Sequence, residues 1–218
     1  MAFGAFAAVA LALAVAAAIS LPAASGSDRA GGLPPMTGPV LRLISASFLM
    51  VAASTALWSF GGQLVAEQMG WGATGTGLLW TCIGIGGLAG AGAGTLVGSL
   101  GLDRVHWAFL SLMAASILSV GFGLGPIPTL VGGAVLGAAY VMLTGVYLIW
   151  GTHALPDRPA TGLMVGFLTI AVGQTVGAPL FGRLLAGPGL ASAVIGFTAV
   201  ALIAGAFRSG STVDGATA

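Results

Sequence analysis

The side chains of this 218-residue chain that could do chemistry are few, and nearly all are uncharged. Tyr140, Thr144 and Tyr147 stand at i, i+4 and i+7 of one apolar run, a spacing that puts all three on one helix face. Gln174 and Trp58 occupy two other apolar runs. Hydroxyl, amide and indole groups set among apolar walls suit recognition of an organic, partly apolar solute, with the polar groups fixing its orientation. The competing explanation for each is an interhelical hydrogen bond or plain aromatic packing. Proton transfer is not expected of them. The apolar runs contain no Asp, Glu or Lys and are interrupted only by Arg42 and His106, both expected at a membrane interface. Any proton-coupling group is therefore expected outside this sequence. Glu67 falls in a connector, where it is expected to be solvated, and the lone Cys82 reads as a small buried hydrophobe. There is no His-Glu-x-x-His, no Gly-x-Ser-x-Gly and no P-loop, so neither an enzyme nor a cofactor or metal site is expected. The absence of lysine excludes a retinal Schiff base.

Composition sets the surroundings of these groups. The chain is 57% hydrophobic and 5% charged, with a mean hydropathy of +1.08, whereas soluble domains carry roughly 25% charged residues. Seven apolar runs cover 2–21, 41–64, 76–97, 105–124, 128–150, 162–181 and 190–207. Each approaches the roughly 20 residues that cross a hydrocarbon core of about 30 Å. Backbone polar groups in lipid must be satisfied within the spanning structure, which leaves helices or closed barrels. The runs lack the alternation of barrel strands. The expected fold is an all-α integral membrane protein with seven transmembrane helices, the partner of which is the lipid bilayer. Residues 1–21 form the first span and 22–40 a Gly/Pro/Ser-rich linker. A six-helix domain, 41–207, and a tail, 208–218, follow. No basic residue precedes Arg29, so the first run is expected to be a span rather than a cleaved signal peptide.

Arginine placement orients the chain. Arg29, Arg42, Arg104, Arg158 and Arg208 fall in alternate connections, with only Arg183 on the other side. Lys and Arg accumulate in cytoplasmic loops. The C-terminus is thus expected in the cytoplasm and the N-terminus outside, in a plasma membrane. An outside start without a preceding signal leads to the expectation that the front of something larger is missing. Trp107 and Trp150 are expected at the inner headgroup level and Trp80 at the outer interface. A formal charge of +1 offers nucleic acid no electrostatic attraction.

Gly86, Gly90, Gly94 and Gly98 recur at i, i+4 in the third run and form a smooth stripe for close helix packing. The stripe leads into Gly98-Ser99-Leu100-Gly101-Leu102-Asp103-Arg104 at the cytoplasmic end. Here the chain resembles the major facilitator superfamily of secondary transporters, whose hallmark is a glycine, four residues and Asp-Arg in the loop joining the second and third helices of each half. Where the family continues with a glycine and further basic residues, this chain has His106 and Trp107, which resembles the degenerate copy of the C-terminal half. The segment 162–182, with Gly173-Gln174, Gly177 and Pro179-Leu180-Phe181-Gly182 after an inner Pro156-Asp157-Arg158-Pro159 turn, is similar to the family's eleventh helix. The long linker is similar to its central loop.

The resemblance implies that the seven runs are helices six to twelve, with the last six forming a half bundle of two inverted three-helix units. It implies that Gly98, Asp103 and Arg104 form a conformational latch at the inner face. It also implies that the helices carrying Trp58, Tyr140, Thr144 and Gln174 line a cavity binding a small-molecule solute. One half has one wall of such a cavity, so an N-terminal half or a second copy is the expected partner. The alternative function is a non-transporting structural or interaction membrane protein, or the product of a truncated reading frame.

Overall fold

The computed structural model describes residue 11 and residues 34–210, and every described element is helical. Apart from residue 11, the expected first span lies outside the described residues, as do most of the linker and the tail beyond 210.

Proline and glycine place the helix ends. Helix α1, Gly38–Trp58, has Pro39 in its first turn, where the missing N–H has no intrahelical partner to lose. Helix α2, Gly61–Met69, follows a break at Ser59-Phe60, so the run expected as one span over 41–64 is two helices. The break comes where Gly61 and Gly62 supply weak helix formers and the exposed Gln63, Glu67 and Gln68 turn the segment toward water. Gly70 ends α2 in the left-handed region (φ 67°). Its N–H reaches the Ala66 carbonyl at 3.0 Å and that of Trp71 reaches Val65 at 3.3 Å, satisfying the terminal carbonyls. Helix α3, Ala73–Ala89, passes through a 3₁₀ turn, Gly90–Gly92, into α4, Ala93–Leu100. Gly101, at φ 84°, divides α4 from α5, Leu102–Gly121. Helices α6, Pro126–Ala154, and α7, Pro159–Ala186, both open on proline and so begin earlier than the apolar runs 128–150 and 162–181. Helix α8 is Leu190–Ala204.

Among the described residues, five helical runs are long and apolar enough to cross a membrane: α1, α3 through α4, α5, α6 and α7. These make the chain a multi-pass helical membrane protein, as its composition requires. Helix α8 is apolar but has 15 residues, about 22 Å at a rise of 1.5 Å, short of a hydrocarbon core of about 30 Å.

Helix α6 is central, packing on α3, α5 and α7, while α1 packs on α7 and α8, and α5 on α8. Missing side chains set the closest of these contacts. A Cβ at Gly86 would strike the Ala134 carbonyl, and one at Gly137 the Ile83 carbonyl, so α3 and α6 touch backbone to backbone. On α7, a Cβ at Gly173 would lie 2.9 Å from the Phe48 carbonyl oxygen, and one at Gly177 2.6 Å from that of Ala52. Gly151 and Gly162 approach each other's carbonyls in the same way between α6 and α7. Of the expected glycine stripe, Gly86 and Gly90 sit against α6, with Gly90 beside Val141 and Met142. Gly94 and Gly98 meet nothing within 4 Å.

Coverage is uneven. In the most apolar window of Ala73–Leu100 only 17% of residues are buried, and in that of Pro159–Ala186 only 22%, against 50% or more in the other three spans. Helices α3–α4 and α7 therefore keep open faces.

Gly137→Val should lower the thermal midpoint of detergent-solubilised protein, with overpacking costing about 1–3 kcal/mol. Gly94→Ala, which points into open space, should not lower it. Equal midpoints for Gly137→Val and the parent would show that the α3–α6 contact tolerates separation.

Candidate functional site

Two polar clusters hang on α6, one half-open and one sealed. The half-open cluster begins at Trp58, the last residue of α1. Its ring lies 5.5 Å from that of Trp80 on α3 and 5.1 Å, edge-on, from Tyr140 on α6. Gln174 on α7 donates from Nε2 to the Tyr140 hydroxyl oxygen at 3.2 Å. The contacts thus run in a chain from α3 through α1 and α6 to α7, joining the two helices that keep open faces. Because Tyr140 accepts from Gln174, its own hydroxyl hydrogen is left to donate. The Trp58 indole N–H is buried with no partner among the described residues. An unpaired buried donor costs about 1–3 kcal/mol, which a suitable acceptor would recover. Thr144 belongs to the same face, but its hydroxyl donates at 2.8 Å to the Tyr140 carbonyl of its own helix.

The sealed cluster lies two turns further along α6. His106 on α5, Tyr147 and Trp150 are each 1% exposed or less. His106 Nε2 and the Tyr147 hydroxyl are 2.9 Å apart, and that hydroxyl donates to the Ala46 carbonyl of α1 at 3.2 Å. The hydroxyl thus lies between an imidazole nitrogen and a backbone carbonyl, joining α5, α6 and α1. The His106 and Trp150 rings meet at 5.6 Å and the Tyr147 and Trp150 rings stack at 6.3 Å. This corrects two expectations. Trp150 and His106 are buried in the bundle rather than turned to the headgroups, because α1 and α5 close over this end of α6. Trp107 does remain 55% exposed. Trp80, expected only at the outer interface, packs on Trp58.

At the far end of the bundle, Asp103 in the first turn of α5 accepts the Ser209 backbone N–H at 2.8 Å, tying the segment after α8 to α5. The Arg42 guanidinium lies beside Gly210. Arg104 and Gly98 are exposed.

Trp58, Tyr140 and Gln174 are therefore brought together, while Thr144 turns to its own backbone. Trp80 was missed because no sequence signal relates the register of α3 to that of α1. The groups offer ring faces, an amide and a free phenol hydrogen, which bind neutral or weakly polar matter. Among the described residues no three of His, Cys, Asp and Glu gather to hold a metal.

Replacing Tyr147 with Phe should cost about 1 kcal/mol, somewhat above the average of about 0.6 for interhelical hydrogen bonds in membranes, which reach about 1.7. Reversible unfolding in mixed micelles measures this, and an unchanged stability would mean the His106–Tyr147–Ala46 link contributes nothing. No family model matches the chain, and no curated protein or solved structure matches it either.

Proposed function

We propose that the chain is the C-terminal-half unit of a major facilitator type secondary transporter, moving a small, neutral, partly apolar organic solute by alternating access. The observation that carries this is the Trp80–Trp58–Tyr140–Gln174 chain, contributed by four helices and lying between the two least covered ones. Aromatic walls with a few neutral hydrogen-bonding groups are what an organic ligand site needs. The open faces of α3–α4 and α7 are where an N-terminal half or a second copy completes the cavity.

The packing scheme also supports two inverted three-helix units. Exchanging α1, α3–α4 and α5 with α6, α7 and α8 carries the α3–α6 contact onto α7–α1, and α5–α6 onto α8–α1. The α5–α8 contact maps onto itself, and all of these pairs are in contact, whereas the α6–α7 contact has no comparable counterpart between α1 and α3. Glycine follows the same exchange. Gly86 and Gly90, four apart on the second helix of one unit, seat it on α6, and Gly173 and Gly177, four apart on the second helix of the other, seat it on α1. On this reading α8 is the sixth span of the unit. The ends bearing Arg42, Arg104, Arg158 and Arg208 are cytoplasmic, in a plasma membrane.

Two experiments test the proposal. A panel of neutral organic solutes is screened by thermal shift on the full chain together with its completing half, since a ligand that binds only the folded state stabilises it. Trp58→Ala and Gln174→Ala should each weaken the responding solute about tenfold, the equivalent of one lost contact of about 1.4 kcal/mol. Wild-type response in both variants would remove the site, and transport by a demonstrated monomer would remove the need for a partner. Topology is tested separately by introducing Gly72→Cys or Asp157→Cys in a Cys82→Ser background. Residue 157 should label only from the cytoplasm and residue 72 only from outside, and the reverse pattern would invert the orientation.

A further inference from the structure

At the end of the bundle opposite Asp103, the short helix α2 faces the end of α7 and the start of α8 across a gap. A recess of about 440 Å³ opens between them. That lies within the range of roughly 300–1,000 Å³ typical of small-ligand sites. The recess shares no residue with the Trp58 cluster.

Its construction is asymmetric. One wall carries Gln63 and Glu67, one turn apart on α2, with Gln63 Nε2 donating to Glu67 Oε1 at 2.8 Å. That bond links two exposed side chains across one turn and leaves Oε2 free to accept. The rest is apolar: Phe60 on one side, Leu185 and Leu190 on the other. Phe60 is fixed by Phe181, 4.9 Å away, which in turn meets Phe197 edge-on at 5.0 Å. Gly182 faces Phe60, and a Cβ there would already come within 3.2 Å of the ring, so the missing side chain helps keep the recess open. Glu67 is the one charged residue in the lining. Arg183, next in sequence to Gly182, is exposed and does not line it.

A carboxylate beside an aromatic ring and two leucines matches one kind of ligand. The geometry points to a second binding site, at this rim, for a small organic ammonium carried on an apolar body. The ammonium donates to Glu67 Oε2 in a charge-assisted hydrogen bond and is attracted to the Phe60 ring. The apolar body lies against Leu185 and Leu190 over Gly182. Two sources supply this chemistry: a free amine, or the ethanolamine headgroup of a lipid.

The test titrates phenethylamine into the full chain by calorimetry, in maltoside micelles and in nanodiscs of phosphatidylglycerol with and without phosphatidylethanolamine. Saturable binding is expected in micelles and in phosphatidylglycerol discs, with no displacement by the uncharged phenethyl alcohol. Glu67→Gln, a change at an exposed side chain, should weaken binding about tenfold or more, as loss of a hydrogen bond to a charged group does. Gly182→Leu should abolish it by filling the recess. Competition by phosphatidylethanolamine assigns the site to the headgroup, and equal binding with and without it assigns the site to a free amine. Absence of saturable binding in both micelles and phosphatidylglycerol discs overturns the proposal, as does wild-type affinity in both variants.

Discussion

Helices in lipid gain nothing by hiding leucine from leucine, so this bundle depends on backbones that come close enough to touch. Lipid tails are as apolar as the side chains they would replace, which leaves dispersion and interhelical polar contacts to hold helices together. Glycine supplies both the proximity and the polar contact surface here. Gly86 and Gly137 let α3 and α6 meet at their carbonyls, Gly173 and Gly177 do the same for α7 and α1, and Gly151 and Gly162 lock α6 to α7. Tyr140 follows Gly137 by one turn, so the contact that seats α6 on α3 also sets the height at which Tyr140 meets Trp58.

The same helix serves two different environments because its neighbours change along its length. Around Tyr140, α6 lies beside the poorly covered α3 and α7, and its polar groups keep a spare donor. Around Tyr147, α1 and α5 close in, and the phenol is spent between an imidazole and a backbone carbonyl. A helix-face argument treats Tyr140 and Tyr147 as equivalent, seven residues apart. Packing makes one partly buried and the other sealed. The two buried indoles, Trp58 and Trp150, each lack a partner for the ring N–H among the described residues. Of the two, only Trp58 lies against the Tyr140–Gln174 pair.

Much of the architecture was legible from residue types. The long apolar runs forced helices, the prolines and glycines in the connections marked where most of them end, and Gly86 and Gly90 marked a surface smooth enough for another backbone. Tyr140 and Gln174 stood out because neutral polar groups are scarce in these runs. What could not be read was which face met which neighbour. Gly94 and Gly98 continue the same spacing as Gly86 and Gly90 yet point into open space, because the 3₁₀ turn at Gly90–Gly92 shifts the register and Ala93, not Gly94, packs on Gly145 of α6. Trp80 looked like an interfacial ring and Trp150 like its inner counterpart, since hydropathy places a tryptophan along the membrane normal but not around the helix axis. The apolar run 41–64 concealed a break, because its hydropathy continues through Ser59 and Phe60 and the weak helix formers Gly61 and Gly62 lower helix propensity without requiring a stop.

The sequence by itself determined the solvent, the secondary structure and the scarcity of charge, because lipid admits only chains that satisfy their own backbone and rarely tolerates a lone ion. The tertiary structure decided which glycines are contacts, which tyrosine is open and that His106 is buried. Those properties depend on crossing points and register between helices distant in sequence. Local composition does not encode them, because a residue's spacing along its own helix is the same whatever packs against it.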